Sequence, residues 1–327
     1  MLFLHPHFSH LHRAGNDAHI VRFEQFSDGW PRIFLEEKEK ISWQEITYIG
    51  DFRYVDDFFG QVAFLDWLMR YDPDFLHIHV PFFPAASMER DTPSGELSIA
   101  NVFARMLGVI SERKPGHVHV HLYDIHDERE IFYFPPSLQV HHHTTTDIFK
   151  REVLKTPLRR GEDSPASMAN QGGSFFQAIS DIEQNPSALS GISPSKGSLP
   201  IILFPDAGAK KAFSRFFTDY EIVTCAKIRK SPTEIEMYFE WGDLKGRDVW
   251  IIDDHIRSGG TLVEAARYAR EKWARSVSAF APHGVFADGV KPEFLEAFEA
   301  FVTTDTIPGN LERFRTIKNT QVLPFSR

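Results

Sequence analysis

Four apolar residues, Val249, Trp250, Ile251 and Ile252, run directly into Asp253 and Asp254. A short unbroken apolar run reads as a strand buried on both faces of a parallel sheet, so the two carboxylates stand at its C-terminal end. Arg257 and Ser258 follow in a polar turn, then Gly259, Gly260 and Thr261. Beyond them Leu262, Ala265, Ala266, Ala269 and Trp273 share one helical face. The pattern predicts strand, loop, helix. Further strands are predicted at 46–49, 75–80, 117–123, 200–204, 221–226, 276–282 and 301–304. Helices are predicted over 60–70, from near 96 through 107, and from 209 through 217. Alternation of this kind defines an α/β protein with mostly parallel sheets flanked by helices.

The loop after residue 252 has its own chemistry. Glycines let backbone N–H groups converge on an anion at a helix N-terminus, where the helix dipole favours phosphate, and Ser258 and Thr261 add hydroxyl donors. Asp253 and Asp254 repel a phosphate but suit the vicinal hydroxyls of a sugar or a hard cation such as Mg²⁺. Together they form a ribose-phosphate clamp.

Polar groups gather at the ends of other predicted strands. Residues 75–80 lead into the irregular Pro81-Phe82-Phe83-Pro84 loop, with Arg90 beyond it as a candidate for a nucleotide phosphate. The strand around 117–123 ends in Asp124-Ile125-His126, and 200–204 ends in Pro205-Asp206. Ligands of α/β proteins bind outside the carboxyl ends of the strands, so the repetition suggests two halves built alike with a site between them. Phe26, Ser27, Asp28 and Gly29 read as a hairpin turn whose aromatic residues are suited to cover a flat heterocycle. Lys227, Arg229 and Lys230 make a basic loop of the kind that clamps polyphosphate. His117, His119 and His121 alternate on one face of a strand; half-exposed strand histidines are the preferred reading over zinc, since no cysteine or spaced carboxylate completes the set. From His141 to Ser198 the chain turns rich in Ser, Pro, Asn and Gly, with one short helix predicted over 175–182. This stretch reads as a linker with an insertion, partly mobile, and its triplet His141, His142, His143 as solvated.

A length of 327 residues accommodates two ordinary domains. The formal charge of −9 leaves no basic footprint for nucleic acid, so charged ligands are expected at local sites. The single cysteine, Cys225, excludes an internal disulfide. There is no apolar run of about 18 residues that would span a membrane, and the N-terminus lacks a secretory pattern, which predicts a cytoplasmic protein.

The strings FSDG (26–29), PFFP (81–84), DIH (124–126), FPDAG (204–208), AKIR (226–229), DDHIRSGGT (253–261), HGVF (283–286) and DTIP (305–308) follow one another in the order found in ribose-phosphate diphosphokinases, the PRPP synthetases. The chain resembles that family from about residue 21 to 308, apart from the 141–198 insertion, and is most similar to its class II enzymes. The resemblance implies two type I phosphoribosyltransferase-like domains: 1–145 on the ATP side and 199–310 on the ribose 5-phosphate side. A linker spans 146–198, and 311–327 is an extension packing back on the first domain. Lys227 and Arg229 would be catalytic, and Phe26, Asp28, Arg90 and His126 would bind ATP. Asp253, Asp254, Arg257, Ser258, Gly259, Gly260 and Thr261 would bind ribose 5-phosphate, and His126 and Asp206 would coordinate Mg²⁺. The implied activity transfers diphosphate from ATP to the C1 hydroxyl of ribose 5-phosphate, in a homo-oligomer whose adenine pocket is completed across a subunit contact.

Three departures separate the chain from class I. Ser87-Met88-Glu89 stands in place of the Arg-Gln-Asp string, Trp30 in place of an acid, and Arg257 in place of the phosphate-loop aspartate. Two other functions compete: a catalytically silent synthetase-associated subunit, and a phosphoribosyltransferase, which has no use for the FSDG, PFFP and DIH strings.

Overall fold

The computed structural model describes all residues except 13–16, 36–37, 85–94, 96, 156–198, 230–234, 240–241, 318 and 326–327, and describes only the backbone of 226–229 and 235–239. The predicted linker segment 156–198, its short helix and Arg90 therefore lie outside the described residues. The chain divides into two compact units, with the boundary between Thr144 and Thr145.

The first unit is built on β1 (Leu2–Leu4), β2 (Ala18–Ile20), β5 (Glu45–Ile49), β6 (Phe75–Val80), β7 (Val118–Tyr123) and β8 (Leu138–His143). Their order is β2-β1-β5-β6-β7-β8 and every neighbouring pair is parallel. A separate hairpin joins β3 (Arg22–Gln25) to β4 (Pro31–Phe34). Helix α1 (Val55–Met69) follows β5, and α2 (Ile99–Ser111) follows β6. Because side chains alternate along a strand, Phe3, Ile46, Tyr48, Ile78 and Val120 fall on one face, where they pack with Phe64, Leu65, Leu68, Phe103 and Leu107 of the helices. Helix α1 begins five residues ahead of its predicted start at 60. Asp56 and Asp57 occupy its first turn, where the helix dipole favours negative charge.

The histidine triplet departs from expectation. It continues β8 rather than opening a solvated linker: His141, His142 and His143 pair in register with His121, Leu122 and Tyr123. Burial in this sheet, reinforced by neighbouring imidazoles, lowers the pKa of both His77 and His143 to about 4.

The second unit contains β9 (Ile201–Phe204), β10 (Ile222–Arg229), β11 (Ile235–Phe239), β12 (Asp248–Ile252), β14 (Ser276–Phe280), β16 (Phe301–Thr304) and β17 (Thr320–Leu323), in the order β11-β10-β9-β12-β14-β16-β17. Only the excursion of β10 into β11 is antiparallel. The central strands are buried on both faces, as their unbroken apolar runs require. Ile201, Leu203, Val249, Ile251 and Val277 meet Leu262, Ala265, Ala266 and Ala269 of one helix, α5 (Gly260–Glu271). On the other face Ile202, Phe204, Trp250 and Phe280 meet Phe149, which lies in α3 (Thr146–Phe149), and Phe213, which lies in α4 (Ala207–Phe213).

Three expectations need correction in this unit. Residues 146–154, assigned to the linker, belong to its core: the Phe149 ring stacks on Phe280 at 4.2 Å and 6°, a contact worth about 0.5–1.5 kcal/mol beyond the area it buries. Trp273 is not on the buried helical face. The helix stops at Glu271, and Trp273 takes a left-handed backbone, φ 65°, with 75% of its side chain exposed. The terminal extension, expected on the first domain, contributes a short helix and β17 to the second unit, where Thr320, Gln321, Val322 and Leu323 pair with β16.

The first unit should be acid-labile. His77 and His143 titrate near 6.5 when unfolded and near 4 when folded, so between those values the unfolded chain binds more protons and stability falls as pH falls. These two groups alone set a limiting slope of about 2.7 kcal/mol per pH unit within that window. Urea midpoints of the full chain at pH 7 and pH 5 check this; the loss should shrink in a His77→Asn, His143→Asn double variant.

Candidate active site

Strand β12 delivers Asp253 and Asp254 as it leaves the sheet. The Asp253 N–H donates to the Phe280 carbonyl at 3.1 Å, which carries the β12–β14 pairing to that point. The Asp254 N–H donates to Asp253 Oδ1 at 3.0 Å, and the His255 N–H donates to Asp254 Oδ1 at 2.7 Å. Asp254 is buried and Asp253 half-buried. Desolvation, then the charge of Asp254, then that of Asp206, push the Asp253 pKa well above the ordinary carboxylate range. Three carboxylates thus share one poorly solvated place, an arrangement that calls for a cation or for hydroxyl donors.

Asp206 arrives independently, as the second of the two residues between β9 and α4. Its Oδ1 caps the helix by accepting the Ala209 N–H at 3.0 Å. Sequence pattern placed it correctly at a strand end, but not its second task as a helix cap.

The loop beyond Asp254 is fixed by a second segment. A two-residue strand, β13 (His255–Ile256), pairs in parallel with β15 (His283–Gly284). The His283, Phe286 and Ala287 N–H groups donate to the carbonyls of Asp254, Ile256 and Arg257 at 3.2, 2.8 and 3.0 Å. His283 is itself buried, with Nδ1 2.9 Å from Thr306 Oγ1, and Thr304 and Thr306 both donate to the Pro282 carbonyl. The HGVF and DTIP strings therefore act as the brace behind the loop. That role was not apparent from their composition.

The brace delivers Arg257, Ser258, Gly259, Gly260 and Thr261 to the first turn of α5. Gly259 has φ 83°, and a Cβ there would lie 2.5 Å from Phe294 Cδ2, so the turn requires glycine on two grounds. Arg257, Ser258 and Gly260 are exposed and Thr261 is half-buried. A helix N-terminus bearing an exposed arginine and hydroxyl, one strand-end away from the carboxylates, can hold a phosphate while the acids hold a sugar.

Lys227 and Arg229 lie on β10 where it has left β9 and runs as a hairpin with β11, with Met237 and Ile235 as their register partners. Their side chains are outside the described residues. In the first unit Phe26 and Asp28 occupy the predicted hairpin turn: the Phe26 N–H donates to the Trp30 carbonyl and the Gly29 N–H to the Phe26 carbonyl, both at 2.9 Å. Phe26 and Trp30 are 53% and 60% exposed, which leaves the hairpin tip as an aromatic surface. His126 is half-buried just past β7. The preceding Asp124 takes a left-handed φ of 43° and accepts from Thr144 Oγ1 at 2.8 Å.

One cluster escaped the sequence reading. At the ends of β1 and β5, His7 Nδ1 lies 2.7 Å from Asp51 Oδ2, and His5, His7 and Asp51 bring ligand atoms within 4.8 Å of one another. Arg53 already forks Asp51 at 2.7 and 2.6 Å. The only sequence signal was His5-Pro6-His7 directly after an apolar strand.

The geometry defines a two-unit α/β protein with mostly parallel sheets and, in the second unit, a carboxylate pair leading into a glycine turn at a helix N-terminus. No family model matches the sequence. The chain is 27% identical over 306 residues to ribose-phosphate pyrophosphokinase 4 of Arabidopsis thaliana, covering 90% of this chain and 79% of that protein. It is 26% identical over 312 residues to ribose-phosphate pyrophosphokinase of Thermococcus kodakarensis, covering 94% and 92%. Its fold matches phosphoribosylpyrophosphate synthetase of Mycobacterium smegmatis with a TM-score of 0.68 at 18% identity, over 99% of this chain and 94% of that one. The chain is similar to ribose-phosphate pyrophosphokinases and has the fold of a PRPP synthetase.

Removing one of the three carboxylates should stabilise the unliganded protein. Asp253→Asn abolishes the repulsion that raises the Asp253 pKa, so its thermal midpoint should exceed that of wild type at pH 7, measured by differential scanning calorimetry. Gly259→Ala should do the reverse, lowering stability by roughly 1–3 kcal/mol through backbone strain, before any cost of the contact with Phe294.

Proposed function

We propose that the protein is a ribose-phosphate diphosphokinase, which converts ATP and ribose 5-phosphate into PRPP and AMP for nucleotide biosynthesis. The observation that carries this reading is the passage from the Asp253–Asp254 pair into the Gly259 turn of α5, within a chain similar to pyrophosphokinases over nine-tenths of its length. Asp253 and Asp254 accept hydrogen bonds from the ribose hydroxyls. Arg257, Ser258, Gly259, Gly260 and Thr261 receive the 5-phosphate.

The C1 hydroxyl oxygen attacks the β-phosphorus of ATP in line. A new bond forms from the C1 oxygen to the β-phosphorus as the bond from that phosphorus to the α,β-bridging oxygen breaks; AMP leaves with the electron pair and the hydroxyl proton passes to solvent. Lys227 and Arg229 neutralise charge as it moves onto the leaving oxygen, so catalysis is chiefly positioning and electrostatic stabilisation. His126 and Asp206 are each assigned as Mg²⁺ ligands. The crowding of Asp206, Asp253 and Asp254, whose mutual repulsion raises the Asp253 pKa, fits a bound cation. When bound, Mg²⁺ supplies charge neutralisation to the polyphosphate. Phe26, Asp28 and Arg90 are assigned to ATP, and the exposure of Phe26 and Trp30 supports a homo-oligomer in which this hairpin reaches a second subunit.

No helix among the described residues is long and apolar enough to cross a membrane; a cytoplasmic location remains part of the proposal. The departures at Ser87-Met88-Glu89, Trp30 and Arg257 favour class II behaviour: weak allosteric control and tolerance of donors other than ATP. Strict ATP dependence with strong ADP inhibition, in a donor panel with and without phosphate, would count against that.

Loss of an electrostatic stabiliser of this kind typically costs a hundredfold or more, so Lys227→Ala and Arg229→Ala should each lower kcat by about 10² with little change in ribose 5-phosphate binding. AMP release measured by coupled assay, alongside ligand-induced thermal stabilisation, checks both. Unchanged kcat in either variant contradicts its assignment.

A further inference from the structure

The first unit holds a group of side chains that the proposed reaction does not use. Opposite its helix-packed face, β6, β7 and β8 present His77, His79, His119, His121, His141 and His143 at alternate positions. The rings stack across strands: His79 on His121 at 4.4 Å and 7°, and His119 on His141 at 5.1 Å and 15°. Their nitrogens also meet. His77 Nδ1 lies 3.0 Å from His121 Nε2, His121 Nδ1 lies 2.8 Å from His143 Nε2, and His119 Nδ1 lies 3.0 Å from His141 Nε2.

Sequence alone showed one strand of this array and lacked partners for it. The register of β8 supplies them. In the run His77–His121–His143 both nitrogens of the central ring are engaged, and the outer nitrogen of His77 is 3.0 Å from Glu45 Oε1, which makes that run a closed relay. His119 and His141 form a separate nitrogen-to-nitrogen pair whose rings pack against that run, His141 on His121 at 4.8 Å and His119 on His77 at 4.9 Å, and each is half-buried. Burial lowers the pKa of both, so both rings are neutral at physiological pH.

We propose that His119 and His141 form a cis-chelating site for a borderline divalent transition ion, Ni²⁺ or Cu²⁺, that clasps edge strand β8 to β7. The bite decides the class of metal. Two imidazole nitrogens at about 2.0–2.1 Å from an ion, in adjacent square-planar or octahedral positions, are about 2.9 Å apart, close to the 3.0 Å separation of the pair, and a rotation of both rings turns their lone pairs onto one ion. The ion takes the place of the shared proton. That proton moves to the far nitrogen of its own ring, so the exchange is a tautomer shift that leaves both rings neutral, and water fills the remaining positions. The competing donor set, His5, His7 and Asp51, is poorer for a cation because Arg53 already neutralises Asp51.

The test uses tag-free full-length protein at pH 7.5. Ni²⁺ titrated by calorimetry should bind wild type at least tenfold more tightly than His141→Gln, while His7→Gln matches wild type. Pulsed EPR with Cu²⁺ should count two coordinated imidazoles in wild type and one in His141→Gln. His119→Asn, on the other strand, should reproduce the loss with its circular dichroism unchanged, which separates loss of a ligand from loss of the fold. Equal Ni²⁺ affinity in wild type and both strand variants, or loss of binding in His7→Gln alone, would overturn the proposal.

Discussion

Like charges held together out of water are the constraint on which this structure turns. Asp253 and Asp254 sit at the mouth of a strand buried on both faces, with Asp206 near enough to add to their repulsion. Each carboxylate loses hydration and gains an unfavourable neighbour there, a cost that the backbone N–H groups they accept offset only in part. The placement persists because the surrounding structure over-determines it. Aromatic packing around Phe149 and Phe280 fixes the sheet below, and the segment 283–287 is laced by its N–H groups to the loop beside the acids. A site of this kind stores a cost that hydroxyl donors or a cation would relieve on binding, which is why the proposed function places ribose and Mg²⁺ there.

The two halves solve the same geometric problem with different side chains. Each places polar groups where parallel strands end, and each surrounds those strands with apolar residues at alternate positions. In the second unit both faces of the sheet are apolar and helix-covered. In the first, one face of β6, β7 and β8 is lined by imidazoles, whose stacking and mutual hydrogen bonds replace aliphatic packing at the price of acid sensitivity. The catalytic reading draws on the strand ends and the two hairpins, not on this face. The histidine face is a separate property of the same sheet.

Much of this was legible in the sequence because it depends on local rules. The run into Asp253 and Asp254 had to be a buried strand, and Gly259 had to mark a turn, since an unbroken apolar run and a glycine pair before a helical stripe leave few alternatives. What was not legible depends on register and on tertiary destination. Periodicity showed that His117, His119 and His121 share a face, but whether His141 and His143 join them is decided by the pairing of β8 with β7. Trp273 fits the helical stripe by number, yet the chain turns left-handed just past Glu271 and leaves it exposed. The terminal segment carried no signal for which unit it would join, because an edge strand is specified by the vacancy beside its partner, here β16, rather than by its own residues.

The central claim is that the carboxylate pair and the phosphate loop serve diphosphate transfer rather than another use of ribose 5-phosphate. The most direct measurement is ³¹P NMR of the full-length protein turning over ATP, Mg²⁺ and ribose 5-phosphate. The account predicts AMP and PRPP appearing in equal amounts, with the β and γ phosphorus of ATP both recovered on the sugar's C1 oxygen. Accumulation of ADP with a singly phosphorylated C1, or no turnover from a folded protein that still binds ribose 5-phosphate, would contradict it.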